Sequence, residues 1–431
     1  MKPRFLRSAR YRGFSYQQQL RRMVFWTGAV LVAASAILFA KGSTVAISVF
    51  RGAVTVHPWL AFILCPLGLA AAVAMTRSLF VGAAGSGIPQ TIAAIQNPAV
   101  AVESGVLSPR VAVGKILVTM LGLACGASVG REGPSVQVGA AIMYNLGNLL
   151  RQPQHDLRRA LILAGGAAGV AAAFNTPVAG VVFAIEELSR SFEERASGRV
   201  FSAVILAGIA SMAVLGNYTY FGHTDAVLNL TNGWLPVVLC GVGGGLLGGL
   251  FARILVGFGR GVPGRIGAWI RGYPVAFAGL CGLGLAVIGL ISGGTTYGTG
   301  YDETRALLSG GDASPAWGLW KMAASILSYI SGMPGGIFAP SLAAGAGVGK
   351  ALAMWMPSVP SGAAILLGML AYFTGAVQAP ITAVVIVMEM TDNQSMTIPL
   401  MACALIAFKV SKQICPTPIY KAMAEVWLEG R

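Results

Sequence analysis

Long apolar stretches separated by short polar or glycine-rich breaks occupy nearly the whole chain of 431 residues. A straight membrane-spanning helix needs about 20 apolar residues. Several of the apolar runs are shorter than this or are interrupted by Gly and Pro, which favours tilted and re-entrant pieces. The pattern predicts an all-α polytopic membrane protein. Its apolar runs cover residues 23–40, 59–75, 111–129, 136–150, 161–188, 201–215, 235–258, 275–291, 316–330, 337–356, 363–377, 381–388 and 397–408.

One break places a carboxylate between two of these runs, at Gly130, Arg131, Glu132, Gly133 and Pro134. Glycine permits unusual backbone angles, and proline suits the first turn of a new helix. Irregular backbone at membrane depth is tolerated only where it is buried in protein or lines a wet cavity. The new helix would point its free N–H groups and positive dipole end into that cavity, which makes an anion site.

Glu132 lies at the mouth of this predicted site. Its ionised carboxylate would occupy the site much as a bound anion does, and protonation would release it. The alternative is a carboxylate that is hydrogen-bonded for structure alone. Ionisable residues inside membranes are usually functional, which favours the first interpretation.

Two further breaks have the same construction, at Gly85, Ser86, Gly87, Ile88 and Pro89, and at Gly336, Ile337, Phe338, Ala339 and Pro340. Ser86 adds a hydroxyl donor, although it could also serve only as a helix N-cap. The backbone N–H groups of Ile337 and Phe338 lie beside apolar side chains, which suits a weakly hydrated anion. Neutral donors hold a monovalent anion loosely enough to release it.

The chain also contains an internal repeat, because residues 174–186 match residues 377–389 without a gap. Pro177 falls on Pro380 and Glu186 on Glu389. Interrupted helices in corresponding positions of two halves indicate the midplane binding site of a transporter. We expect a basic N-terminal segment at 1–22, a first membrane repeat at 23–220, and a second at 221–431 with a short cytoplasmic C-terminus.

Composition agrees with a membrane protein: the mean hydropathy is +0.72, 55% of residues are hydrophobic and 10% are charged. The net charge of +15 comes from basic residues at the tails and between apolar runs, without the aromatic interleaving of nucleic-acid binders. Residues 1–22 carry seven Lys and Arg and no acid, and Lys409, Lys412, Lys421 and Arg431 lie near the other end. Both termini are therefore expected in the cytoplasm, and the first apolar run should remain as a span of the cell (inner) membrane.

Residue types that would indicate other chemistry are scarce. The six cysteines lie in apolar runs or near the C-terminus, so we expect no disulfides. None of the three histidines is near a cysteine cluster, so no metal site is predicted, and no sequence feature calls for a cofactor. Gly241, Gly245 and Gly249 have the four-residue spacing of tight contacts between membrane helices.

The three glycine-rich stretches resemble the signature motifs of the CLC family of chloride channels and proton/chloride antiporters, in its prokaryotic form without CBS domains. The resemblance implies a homodimer in which each subunit has its own anion pathway, built from two inverted repeats. It also implies that chloride is bound by Ser86, by the N–H groups of Ile337 and Phe338, and by the hydroxyl of Tyr420. A lone tyrosine near the C-terminus could otherwise be an interfacial anchor.

The same resemblance gives Glu132 the role of the gating group and external proton site, and Glu187 the role of internal proton transfer. Glu186 and Glu187 end an apolar helix, where neighbours point about 100° apart, so only one should face the pathway. The alternative for Glu187 is a solvated acid at a helix end. For Glu389 we expect local hydrogen bonds near residues 391–393.

Two departures from other family members narrow the expected function. The chain stops at Arg431, soon after Tyr420, so CBS domains and adenine-nucleotide regulation are not expected. Ser86 stands where nitrate-preferring members carry proline, and the signature stretches lack the changes of fluoride exporters, so chloride is the expected anion.

The sequence thus predicts a proton-coupled chloride antiporter, with a passive voltage- or pH-gated chloride channel as the alternative. An enzyme is not expected. An intramembrane hydrolase would need a base at the depth of its nucleophile, and all three histidines fall outside or at the ends of the apolar runs.

Overall fold

Helices joined by short turns make up most of the computed structural model, which describes residues 4–149, 155–189, 198–216, 219–228 and 234–429. The described part contains no β-sheet. In chain order the helices are α1 (Arg4–Val56), α2 (Ala61–Ser78), α3 (Ile88–Gln96), α4 (Pro98–Glu103), α5 (Pro109–Leu123), α6 (Glu132–Leu149), α7 (His155–Phe174), α8 (Pro177–Phe183), α9 (Gly198–Leu215), α10 (Trp234–Arg260), α11 (Gly264–Gly272), α12 (Pro274–Ile291), α13 (Tyr301–Leu308), α14 (Trp317–Ile330), α15 (Phe338–Ala353), α16 (Ser361–Val377), α17 (Pro380–Thr391), α18 (Thr397–Ile414) and α19 (Ile419–Leu428).

Six stretches of helix within the described residues are long and apolar enough to cross a membrane, which agrees with the predicted multi-pass architecture. They are Arg22–Val56, Pro58–Ser78, Asp156–Phe174, Trp234–Arg260, Pro274–Ile291 and Thr397–Ile414. The first is much longer than the apolar run predicted at 23–40. The predicted run at 111–129 is helical only as far as Leu123, because the break before α6 begins there.

The two halves of the chain repeat the same order of helices. From α2 to α9 and from α12 to α18, long and short helices alternate in the same way once α4 is set aside, and α2 and α12 each have 18 residues. Packing repeats as well, since α6 lies against α7 as α15 lies against α16. The corresponding helices α2 and α12 also pack against each other.

Glycines allow the close helix contacts that the sequence predicted. A Cβ atom added to Gly245 would lie 2.8 Å from Cα of Ala407, so α10 and α18 approach at backbone distance. In the first repeat, a Cβ on Gly165 would lie 2.7 Å from the carbonyl carbon of Gly139, where α7 crosses α6. Contacts this close come from residues without side chains, as expected for membrane helices.

Glu186 and Glu389 join the two halves by equivalent hydrogen bonds. The carboxylate of Glu186 accepts the N–H groups of Ile381 and Thr382, in the first turn of α17, at 3.1 and 2.6 Å. Glu389 accepts the corresponding N–H groups of α8 at the same two distances. Bonds exchanged in this way indicate a two-fold relation between the two repeats.

The prediction that Glu389 makes local hydrogen bonds is therefore wrong. The first N–H groups of a helix have no partner within the helix, and they attract a carboxylate. In the folded chain, the start of α8 offers Glu389 such groups about 210 residues away in sequence.

Candidate anion and proton site

The three glycine-rich breaks meet at one place in the fold. Gly130 and Gly336 exchange two backbone hydrogen bonds of 2.7 Å, and the N–H of Gly335 donates to the carbonyl of Gly85 at 3.1 Å. Immediately after these contacts α3, α6 and α15 begin, at Ile88, Glu132 and Phe338. The prediction that a new helix starts at each break is confirmed. Three helix N-termini, each with a positive dipole end, are brought together.

Two buried hydroxyl groups lie at this junction. Ser86 is 1% exposed and Tyr420 is fully buried, and neither hydroxyl has a hydrogen-bond partner of ordinary geometry among the described residues. The two hydroxyls are nevertheless close enough to interact with each other. The ring of Phe338 lies 6.0 Å from that of Tyr420. Tyr420 is thus an interior residue rather than an interfacial anchor.

The start of α15 adds backbone donors beside these hydroxyls. The N–H groups of Ile337 and Phe338 donate no hydrogen bond to any described residue. Both residues are buried, at 2% and 0% exposure. Buried donors normally have partners, so these two N–H groups, next to two hydroxyls that lack a partner of ordinary geometry, mark a place for an acceptor.

Glu132 is fully buried at the first position of α6. Both carboxylate oxygens lack a hydrogen-bond partner of ordinary geometry, although the N–H groups of Arg131, Ala339 and Glu132 itself interact favourably with the charged form. The carboxylate therefore lies where the positive ends of α6 and α15 meet. A structural carboxylate would be fully hydrogen-bonded, because burying an unsatisfied charge is costly.

Arg131 does not bond to its neighbour Glu132. Its guanidinium donates to the carbonyl of Ala40 at 3.1 Å and lies 5.9 Å from the centre of the Tyr220 ring. No described residue forms an ion pair with Glu132, although the charge of Arg131 attracts its carboxylate.

Lys115, to which the sequence assigned no role, stabilises the conformation of the first break. The ammonium group of Lys115, buried within α5, donates to the carbonyls of Ala83, Ala84 and Gly85 at 2.8, 3.3 and 2.7 Å. This arrangement gives all three carbonyl groups a charged donor. A lysine inside an apolar run is the signal that could have identified it.

Glu186 and Glu187 have different surroundings, as expected for neighbours on a helix. They lie in the π-helical turn Ala184–Ser189 that continues α8. Glu187 is buried at 1% exposure and is electrostatically coupled to Tyr420, as Glu132 also is. Glu186 instead binds the start of α17. The buried carboxylate is the one that the sequence assigned to the pathway, and it is not a solvated acid.

Within the described part of the chain, no group of His, Cys, Asp and Glu residues has the arrangement of a metal site. The six cysteines are free in the structure.

Comparison with known proteins places this junction in a family. The sequence profile described as "Voltage gated chloride channel" matches residues 67–412. The chain belongs to this family, the CLC family. The H(+)/Cl(-) exchange transporter ClcA of Cronobacter sakazakii is 32% identical over 394 residues, covering 85% of this chain and 80% of its own. ClcA of Salmonella typhi is 31% identical over 387 residues, covering 84% and 78%.

Solved CLC structures share the fold across nearly the whole chain. A slow cyanobacterial Cl-/H+ antiporter matches with a TM-score of 0.79 and 23% identity, covering 95% of this chain and 99% of its own. A CLC-type fluoride/proton antiporter matches with a TM-score of 0.76 and 23% identity, covering 95% and 98%. The fold predicted from the sequence, with inverted repeats of tilted and broken helices, is confirmed.

Proposed function

We propose that this protein is a proton-coupled chloride antiporter. The observation that carries the proposal is Glu132, a buried carboxylate without full hydrogen bonds where the N-termini of α6 and α15 meet. Its relatives named as H(+)/Cl(-) exchange transporters support the same function. The Glu132 carboxylate can occupy the anion site when it is ionised and leave the site when it is protonated. One residue therefore links the movement of protons to the movement of chloride.

Chloride binds at the junction through neutral donors. The hydroxyls of Ser86 and Tyr420 and the N–H groups of Ile337 and Phe338 supply its hydrogen bonds, and the converging helix dipoles stabilise its charge. The ammonium group of Lys115 donates to three backbone carbonyls rather than to the ion. The neutral donors are sufficient, so no cation needs to contact the chloride. Such a site is weak enough to exchange its ion.

Glu132 competes with chloride for the positive helix ends. When ionised, its carboxylate fills the site, and when protonated it loses the attraction of the helix dipoles and makes way for the anion. Each protonation cycle therefore moves a proton into the site as chloride passes, which couples the two fluxes.

Glu187 carries protons between Glu132 and the cytoplasm. Anion donors line the chloride route and oppose a cation, so protons need a separate path with its own titratable group. The burial of Glu187 and the electrostatic interaction of both carboxylates with Tyr420 support this role.

The protein lies in the cell membrane with both termini in the cytoplasm, as the basic N-terminal segment favours. It forms a homodimer, as membership of the CLC family favours. Each subunit carries a complete set of site residues, so each transports by itself.

Reconstitution in liposomes tests this function. Vesicles loaded with chloride are diluted into low-chloride buffer while external chloride and pH are recorded together. An antiporter takes up protons as chloride leaves, even against a proton gradient. Chloride efflux without proton movement would instead show the passive channel that remains the alternative.

A further inference from the structure

The short helix α11 connects two membrane spans at one surface of the molecule. α10 ends at Arg260 and α12 begins at Pro274, and both helices are long and apolar enough to cross a membrane. α11 has nine residues and is therefore about 14 Å long, which is too short to cross. It lies on the same side as the C-terminal helix α19, because a Cβ added to Gly259 would lie 3.1 Å from Cε of Met423.

One side of α11 is apolar and exposed. Ile266, Trp269 and Ile270 recur every three or four positions, and Tyr273 follows at the end of the helix. The exposed fractions of Ile266, Trp269 and Tyr273 are 70%, 40% and 62%. The ring centres of Trp269 and Phe277 are 6.4 Å apart, so this side of α11 is continuous with the surface of the span α12. A helix of this kind lies in the interface of a bilayer, with its apolar side against the acyl chains.

The connection from α10 to α12 is strongly basic. Residues 226–301 contain no Asp or Glu and four basic residues, all of them arginines. They are Arg253, Arg260, Arg265 and Arg271. Arg260 pairs with Glu425 of α19 at 3.7 Å. The surface around α11 therefore carries positive charge that its own segment does not neutralise.

Two of these arginines lie on α11 itself. Arg265 and Arg271 are exposed, and neither forms an ion pair with a described residue. Arg271 donates one hydrogen bond, of 3.2 Å, to the carbonyl of Val262. A guanidinium has five N–H groups, so this bond leaves others for an anion. Guanidinium groups suit phosphate oxygens in particular, because they can donate two parallel hydrogen bonds.

An open apolar groove of about 540 Å³ adjoins the end of α11, between α2 and α12. Leu67 and Ala70 of α2 line one side, and Ala276 of α12 lines the other. Apart from the Tyr273 hydroxyl, the side chains that line the groove carry no polar group. Gly272, which also lines the groove, directly follows Arg271. A hydrocarbon chain fits this lining, with a phosphate group beside the arginine.

We propose that α11 and this groove bind an anionic phospholipid of the leaflet on the side of α19. Arg265 and Arg271 bind its negatively charged headgroup, and one acyl chain lies in the groove. A zwitterionic lipid carries a cation beside its phosphate and gains less from two arginines, so the site selects lipids of net negative charge. The bound lipid attaches the connection between α10 and α12 to the membrane surface.

The test measures lipid binding to the purified full-length protein in detergent by native mass spectrometry. Phosphatidylglycerol and phosphatidylcholine with identical acyl chains are compared, and wild type should bind the former about tenfold more tightly. R265Q and R271Q should each weaken phosphatidylglycerol binding about fivefold, which is the contribution of one basic residue near an anionic surface. R265K and R271K should keep most of the binding, and phosphatidylcholine binding should stay unchanged throughout.

Matched controls separate charge and shape from damage to the fold. R305Q removes an exposed arginine of α13, outside this surface, and should leave lipid binding unchanged. Ala276→Phe fills the groove and should weaken phosphatidylglycerol binding. Ala268→Phe adds the same ring at an exposed position of α11 that does not line the groove, and it should have no effect.

Equal binding of the two lipids by wild type would overturn the proposal. Unchanged phosphatidylglycerol binding in the R265Q/R271Q double variant would do so too, and so would an equal loss of both lipids, because that indicates altered packing rather than lost charge. Unchanged binding in Ala276→Phe would contradict the role of the groove. None of these measurements requires transport, so their outcome is independent of the proposed antiporter function.

Discussion

In each repeat a buried lysine donates hydrogen bonds to the carbonyl groups of a glycine-rich loop that precedes a short helix. Lys115 holds residues 83–85 before α3, and Lys321 donates to Thr296 and Gly298 before α13, at 2.8 and 2.7 Å. Each short helix follows a glycine with positive φ, +99° before α3 and +80° before α13. The two inverted repeats therefore contain the same arrangement of lysine, loop and short helix.

The loops differ in what remains unsatisfied. The Ser86 hydroxyl has no hydrogen-bond partner of ordinary geometry among the described residues, and the first turn of α3 contains no acid. In the second repeat the hydroxyl of Thr299 accepts the N–H of Tyr301 at 3.3 Å, and the first turn of α13 contains two acids that pair with Arg51. The second loop therefore neutralises its own helix end, and the first leaves its donors to an ion. The two loops share a backbone arrangement, and their side chains decide which one leaves donors for an anion.

The largest effect is expected from Glu132→Gln, because the corresponding start of α15 has no carboxylate and the first repeat alone supplies the titratable group. Proton movement should fall to the level of protein-free vesicles, while chloride binding and passive chloride flux persist. The measurement is paired chloride and proton flux in liposomes. A variant that still drives protons uphill with chloride would contradict the assignment.

Glu187→Gln should also abolish proton coupling, with chloride still moving passively because the anion donors are untouched. Glu186→Gln should largely keep coupling, since its amide oxygen can still accept one of the two N–H groups of α17 and Glu186 does not face the pathway.

Glu389→Gln is the matched control for this pair. It alters the same cap in the other repeat, far in sequence from Glu187. Proton uptake under an outward chloride gradient compares the three variants, and full coupling in Glu187→Gln would refute its role.

Substitutions of Lys115 and Lys321 test whether only the loop of the first repeat takes part in chloride binding. Lys115→Met and Lys321→Met each leave backbone carbonyls without a charged donor, so both should lower the free energy of unfolding by about 2–4 kcal/mol. Thermal unfolding in detergent would measure this loss. Only Lys115→Met should also weaken chloride binding, because only its loop contains Ser86. Equal chloride affinities in calorimetric titration of the two variants would contradict the comparison.

The smallest effects are expected from single donors. Ser86→Pro and Tyr420→Ala each remove a neutral hydrogen bond, worth about 0.5–1.5 kcal/mol, and should weaken chloride binding a few-fold to about tenfold. Ser86→Pro should also raise nitrate transport relative to chloride. Thr299→Val is the control in the second repeat and should leave chloride affinity unchanged. Calorimetric titration that shows no change for Ser86→Pro and Tyr420→Ala would disprove the central site.

Much of this site could be predicted from the sequence, because its signals are local. Glycine that permits positive φ, proline in a first helical turn and a carboxylate between apolar runs each restrict the backbone or the environment within a few residues. These signals located the starts of α3, α6 and α15 and selected Glu132, and the ungapped repeat indicated two halves.

Only the tertiary structure decided which of these segments meet and how. Gly130 and Gly336 exchange hydrogen bonds across the two halves, and Glu186 bonds to Thr382, 196 residues away. Partners at such distances are selected by how whole helices pack, and no local pattern specifies them. For the same reason the sequence could not distinguish the unused hydroxyl of Ser86 from the satisfied hydroxyl of Thr299, since that difference depends on the neighbours that folding brings to each.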